Sequence, residues 1–352
     1  MGNFGVISKG IKCGIIREND DIVKIVTNSV LENTWNSHTN SYDLKDNDII
    51  AITESVVARA AGLYVTVDEI AEDVERVFGK DATIAVLDPI YSRNRFSMIL
   101  KGIARAAKKI KMRMPSYDEV GNPCEVNRFT GVNIKEYYKE ICEAENCKFE
   151  TFGETDTWNC GAIYCGLHDY DKWYYTNKNA HKKPHITLAQ LCANKNPDFG
   201  LLGTNKSTEE RLKLFPTKKL ALAVCEDVKA LIAFYTGKSV IVCCYGDGAF
   251  KDPVGGIWEF ADPVTMPGYT NADIIESTPN ELKLKAFIDE SGNDEELQKN
   301  LDKASEERNL VGKMSAMGTT PRIYRDLIAS LADLTSGSGN RATPVVLIQN
   351  YL

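Results

Sequence analysis

Three observations predict a mixed α and β fold that is neither a standard Rossmann nor a P-loop arrangement. Short apolar, β-branched runs at residues 49–52, 82–87, 240–244 and 345–348 read as buried strands. Segments with helical spacing lie among them, as where Ile70, Val74 and Phe78 share one face. No Walker A sequence occurs, and no G-x-G-x-x-G follows a predicted strand.

The elements follow in order. Residues 46–52 are a turn feeding a strand. Residues 53–62 open a helical or irregular segment, where Thr53 and Ser55 can cap amides and Glu54 or Arg59 can face a ligand. The plainer alternative there is an N-cap with a surface ion pair. A helix over 67–78 leads to the strand 82–87, which ends at Asp88-Pro89. Arg93 and Arg95 then stand at the entrance of a helix predicted over 97–110, as an anion site or as surface salt bridges.

A polar, proline-bearing stretch at 114–124 marks a boundary. Beyond it an inserted lobe is expected, with a helix at 134–145, a strand at 161–165 and a helix at 186–194. Residues 200–210 read as a loop entering a helix, with Ser207 and Glu210 as a capping box. The loop amides around Gly203, Thr204, Asn205 and Ser207, with Lys206, can also meet a phosphate. A helix at 224–236 precedes the strand 240–244. Further helices are expected after Pro279 and Pro321, and the charge-rich stretch 289–307 reads as a solvated helical excursion. The Gly-rich segment 335–344 is a helix C-cap or an anion loop, with the cap favoured. The divisions are 1–115, 116–199 (the inserted lobe), 200–275 and 276–352.

The chain has 352 residues, 43% hydrophobic and 26% charged, with a net charge of -7. No Lys/Arg block dominates, which argues against extensive nucleic-acid binding. No apolar run approaches a membrane span, and no signal-peptide core opens the sequence, so a cytoplasmic protein is expected. Its ten cysteines then read as reduced thiols. Cys160, Cys165 and His168 do not have a standard zinc spacing.

The most informative stretch is 242–253. An apolar strand ends at Asp247, flanked by Gly246 and Gly248, and Asp252 follows within one loop. Two carboxylates at a Gly-rich strand end suit Mg²⁺ or Mn²⁺ with a phosphate ligand. A tight turn capped by Asp247 is the equal alternative. Ile257, Trp258 and Phe260 are expected to anchor this segment, which also carries Glu259 and Asp262; a buried hairpin with ordinary exposed acids is the plainer alternative.

Residues 46–62, with Gly5-Val6, Ile15-Ile16, Asp20-Asp21-Ile22, the loop at Asn205 and Ser207 and the strand before Asp247, resemble the coenzyme F-420-0:gamma-glutamyl ligases. That resemblance covers about the first hundred residues and 200–262. It implies a two-domain α+β protein, a homodimer, using GTP and a divalent metal. It also implies attack of a substrate carboxylate on the γ-phosphate, then displacement of phosphate by the amine of L-glutamate or a similar amino acid. Asp247, Arg59 and Glu54 become catalytic candidates. Arg93, Arg95, residues 203–207, Gly246 and Gly248 become nucleotide binders, and Asp247, Asn205 and Asp252 metal ligands. The chain departs from the family pattern with Asn205 in place of an aspartate, Gly248 in place of a threonine, and Arg59 and Ala61 in place of a lysine and an acid. A binding protein with an eroded metal site is the alternative function.

Overall fold

The computed structural model describes residues 5–89, 95–114, 116–117, 125–127, 130–153, 158–165, 182–246, 250–251, 258–259, 267–278, 288–305, 323–336 and 342–352. The fold is α+β and mixed in its sheets, as the sequence predicts. One five-stranded sheet has the order Ile7–Ile11, Val345–Gln349, Ile49–Thr53, Ile241–Tyr245, Gly268–Tyr269. Only Ile49–Thr53 and Ile241–Tyr245 run parallel in it; the other pairings are antiparallel.

The continuous apolar character of these strands has a physical cause. Ile50, Ile52, Val242 and Cys244 face the helices Ile22–Thr34 and Lys218–Thr236. Ile49, Ala51, Ile241 and Cys243 face the helix Tyr324–Ser336 on the other side. A sheet covered on both faces needs apolar residues at every position. Cys243 and Cys244 are therefore both core, on opposite faces. Burial alone pushes the Cys243 thiol up to about 12. Burial, with Cys225 and Glu54 nearby, also raises Cys244.

The second five-stranded sheet is all parallel, in the order His185–Thr187, Gly161–Tyr164, Ala82–Leu87, Ala107–Arg113, Lys148–Phe152. The strands at 148–187 thus share a sheet with those at 82–113. The helices Val67–Phe78, Arg95–Ala106 and Ile134–Ala144 cover one face. A three-stranded antiparallel sheet of Thr204–Lys206, Arg211–Leu214 and Tyr64–Thr66 completes the framework.

Three local expectations are corrected. The helix expected to reach residue 110 stops at Ala106, and Ala107–Arg113 is a strand. Ile110 and Met112 are buried there at a period of two, while Lys109, Lys111 and Arg113 on the alternating positions are only half-buried. The expected helix at 186–194 is instead the strand His185–Thr187 followed by turns. The buried Asp73 accepts from the Cys192 amide at 2.7 Å in that turn. Residues 204–214 form a hairpin rather than a helix, and the Ser207 and Thr208 amides both donate to the Arg211 carbonyl. There is no helix for Ser207 to cap. Residues 279–287 and 337–341, where a helix start and the Gly-rich cap were expected, lie outside the described residues.

The helices Val67–Phe78 and Arg95–Ala106 cross closely at Gly102. A Cβ there would lie 2.5 Å from Ile70 Cγ2 and 2.7 Å from its Cβ. Gly102→Ala therefore forces the helices apart. We expect it to lower stability by about 1–3 kcal/mol, read as a shifted midpoint in urea unfolding with an unchanged slope.

Candidate functional site

The parallel register places Thr53 beside Tyr245 at the carboxyl ends of the two central strands. Their next residues, Glu54 and Gly246, leave the sheet at the same end. Glu54 begins the short helix Glu54–Ala60 and is only 1% exposed. Carboxylates are rarely buried unless hydrogen-bonded or paired, and here Asn205 Nδ2 donates to Glu54 Oε1 at 3.0 Å.

Asn205 comes from the hairpin, where it lies directly across from Lys213. Antiparallel partners project to the same face. The opposite face of the second strand carries Leu212 and Leu214 into the core. Lys213 is 6% exposed, and its Nζ donates to Ser55 Oγ. The site therefore joins Glu54 and Ser55 from one element to Asn205 and Lys213 from another.

Arg95 holds the hairpin in place. It is 2% exposed, and its Nη1 donates to the carbonyls of Leu202 at 2.9 Å and Thr204 at 2.8 Å. These two carbonyls bracket Gly203, and Thr204 immediately precedes Asn205. Further out, Glu210 in the hairpin turn pairs with Lys101 and lies 3.6 Å from Arg105. The Lys101 ammonium beside it holds the Glu210 carboxyl below the usual range. Tyr64 supports the hairpin from beneath, with the Arg211 guanidinium 3.7 Å from its ring centroid.

The structure gives the other expected binders different surroundings. Gly203 fits between aromatic rings; a Cβ would lie 2.8 Å from Phe199 Cβ and 3.1 Å from Phe215 Cγ. Thr204 is fully buried and donates its hydroxyl to the Leu201 carbonyl at 2.9 Å. Lys206 pairs with Glu209 at 2.6 Å, and Ser207 is exposed in the turn. Gly246 is buried at the end of the central strand. Arg59 is exposed in the last turn of Glu54–Ala60, away from Glu54. Arg93, Asp247, Gly248 and Asp252 lie outside the described residues.

Sequence pattern alone does not single out Lys213. A lysine between two leucines in a strand reads as the solvent side of an amphipathic pair. The only signal was period two, which assigns it to the face opposite the core without saying what covers that face.

The donor set fits a hard cation in type. Carboxylate, amide and hydroxyl oxygens suit Mg²⁺ or Mn²⁺ better than a soft metal. Among the described residues no group of three or more His, Cys, Asp or Glu gathers to hold a metal. Glu54 thus supplies the single carboxylate described at this position.

An α+β enzyme with oxygen donors and a buried cation gathered at a strand end is the class that fold and site define. The sequence pattern of the family described as F420-0:Gamma-glutamyl ligase matches residues 10–350. The protein belongs to that family and is a ligase acting on small molecules. No curated protein matches the sequence. Among the described residues, no helix is long and apolar enough to cross a membrane.

Arg95→Ala leaves the Leu202 and Thr204 carbonyls without their donor. We expect a loss of about 1–3 kcal/mol in urea unfolding. Lysine at this position cannot reproduce the planar fork and should restore little of it.

Proposed function

We propose that the protein is a GTP-dependent ligase joining L-glutamate, or a similar amino acid, to a carboxylate through an acyl phosphate. The observation that carries this reading is the meeting of Glu54 and Ser55 with Asn205 and Lys213 at the strand ends, in a chain of this family. In the first step a carboxylate oxygen of the acid attacks the γ-phosphorus of GTP. An O–P bond forms, the bond to the β–γ bridging oxygen breaks, and GDP leaves. In the second step the amino nitrogen attacks the acyl carbon. A C–N bond forms, the C–O bond to phosphate breaks, and inorganic phosphate and a proton are released.

Each step concentrates negative charge that must be balanced by fixed positive charge. Glu54, Asn205 and Ser55 are the described residues that would hold Mg²⁺ or Mn²⁺, with Asp247 and Asp252 proposed to add charge from the following loop. A bound divalent cation supplies Lewis-acid neutralisation of the transferring phosphoryl group. Lys213 offers a buried ammonium beside that position. Arg95 serves the hairpin in this reading, so that Asn205 and Lys213 stay aligned. Arg93 is proposed to meet the anionic end of a ligand. Asn205 contributes an oxygen but no charge, so nucleotide phosphates and metal should bind cooperatively.

GTP with Mn²⁺ should raise the melting temperature more than either alone, and more than ATP with Mn²⁺. Lys213→Met should weaken GTP binding by about 1.5–3 kcal/mol, read by calorimetry. No stabilisation by GTP with Mn²⁺ would remove the proposal, and equal stabilisation by ATP with Mn²⁺ would remove the GTP preference.

Asn205→Asp provides a sharper test. It replaces an amide donor with a second carboxylate against Glu54 Oε1. Two carboxylates in contact raise one pKa between them. The raised folded-state pKa makes the variant lose stability as pH rises through it. Mn²⁺ should restore that stability at neutral pH and bind the variant without nucleotide. No gain in Mn²⁺ affinity by calorimetry would place the metal away from Asn205.

A further inference from the structure

The helix Ile134–Ala144 ends in a turn that brings two cysteines together. Asn146 stands at φ 58° just past the helix. Its amide donates to the Glu143 carbonyl at 3.0 Å, and the Cys147 amide donates to the Cys142 carbonyl at 2.9 Å. Paired bonds of this kind around a left-handed residue make a Schellman cap. That cap sets a side chain in the last helical turn against the side chain just after the left-handed residue. Here both are cysteines, in the sequence Cys142-Glu143-Ala144-Glu145-Asn146-Cys147. The Cys142 thiol donates to the Cys147 sulfur. The Cys147 thiol in turn donates to the Lys148 carbonyl at 3.7 Å.

Both thiols are buried against the core of the all-parallel sheet. The turn above them is not: Glu143, Ala144, Asn146 and Lys148 are exposed. Cys147 also stands at the start of Lys148–Phe152, an edge strand of that sheet. Exposed turns at element ends open locally at low cost. The hydrogen bond from Cys142 holds the Cys147 thiol below its usual range, and the Ile110 amide adds to this. The same bond, with burial, raises Cys142. Cys147 is therefore the sulfur that ionises first, and the thiolate is the nucleophile. The turn is also tied to the hairpin of the candidate site. Glu145 accepts from Arg105 Nε at 2.9 Å and Nη2 at 3.0 Å, and Arg105 lies 3.6 Å from Glu210.

We propose that Cys142 and Cys147 are a reversible dithiol–disulfide site, closed by exchange with a low-molecular-weight disulfide. The Cys147 thiolate attacks one sulfur of the small disulfide. A mixed S–S bond forms, the small molecule's own S–S bond breaks, and one small thiolate leaves and takes up the proton that Cys147 gave up. Cys142 then loses its proton and attacks the Cys147 sulfur. The protein disulfide forms, the mixed bond breaks, and the second small thiol is released with that proton. Two protein thiols are oxidised and one small disulfide is reduced to two thiols. Closure pins the end of Ile134–Ala144 to the start of Lys148–Phe152 and fixes the turn that carries Glu145. The inference is independent of the proposed ligase reaction, since it rests on the helix cap and on no residue at the strand ends.

Both cysteines fall in one tryptic peptide, Glu140–Lys148. The full native chain is equilibrated with mixtures of glutathione and glutathione disulfide, and free thiols are trapped with N-ethylmaleimide as the chain is unfolded. By mass spectrometry the peptide should lose two hydrogens and carry no maleimide. Peptides bearing the buried Cys225, Cys243 and Cys244 should stay fully trapped. Because the cap sets the two side chains together, the native chain should close at a disulfide-to-thiol ratio at least about tenfold below that needed in urea. Cys142→Ser keeps a hydrogen-bond donor but removes the resolving thiol, so Cys147 should hold a glutathione adduct. Circular dichroism checks that this variant is folded. A native peptide that always carries two maleimides overturns the proposal and leaves the pair as an apolar cap contact. So does closure that is no easier in the native chain than in urea, or a folded Cys142→Ser chain that takes up no adduct.

Discussion

The parallel pairing of Ile49–Thr53 with Ile241–Tyr245 is the constraint on which the candidate site depends. It brings two chain segments far apart in sequence to one sheet end, in fixed register. Both strands are buried on both faces, between two helical layers. Register in such a pair is held by side chains on each side, since a slip of one residue would exchange the two faces. Glu54 and Gly246 are therefore placed by the core rather than by the loops that carry them.

The second requirement is a hairpin that meets this strand end without belonging to its sheet. Arg95 meets it from the helix Arg95–Ala106, donating to carbonyls on either side of Gly203. Glu210 is held by Lys101 and Arg105 from the same helix. That helix in turn packs on Val67–Phe78 through the space left by Gly102. Asn205 and Lys213 thus reach Glu54 and Ser55 on a support anchored in the all-parallel sheet's core. Functional groups held by packed elements keep their geometry better than groups on loops alone.

The charge balance of the site is unusual for a buried position. A carboxylate and an ammonium both sit within the protein, each on a polar neighbour. Burying such groups is costly unless they are hydrogen-bonded. The Asn205 amide donates to Glu54 Oε1, which a second carboxylate could not do.

The sequence by itself determined the α+β class, the central strands and the family, because these rest on local apolar pattern and on contiguous motifs. Residues 46–62 read from sequence as a strand followed by a helix, and Glu54 and Asn205 are candidates from the same motifs. Three elements were misread where periods overlap. Residues 107–113 continue an apolar helical row but alternate equally well, and only pairing with Ala82–Leu87 decides between them. Ser207 with Glu210 has the composition of a helix cap, yet the turn hydrogen bonds close a hairpin. The tertiary structure alone decided that Lys213 faces Ser55, that Arg95 is buried on backbone carbonyls and that Asn205 meets Glu54. These are long-range contacts set by how separate sheets and helices pack, and no local period carries that information.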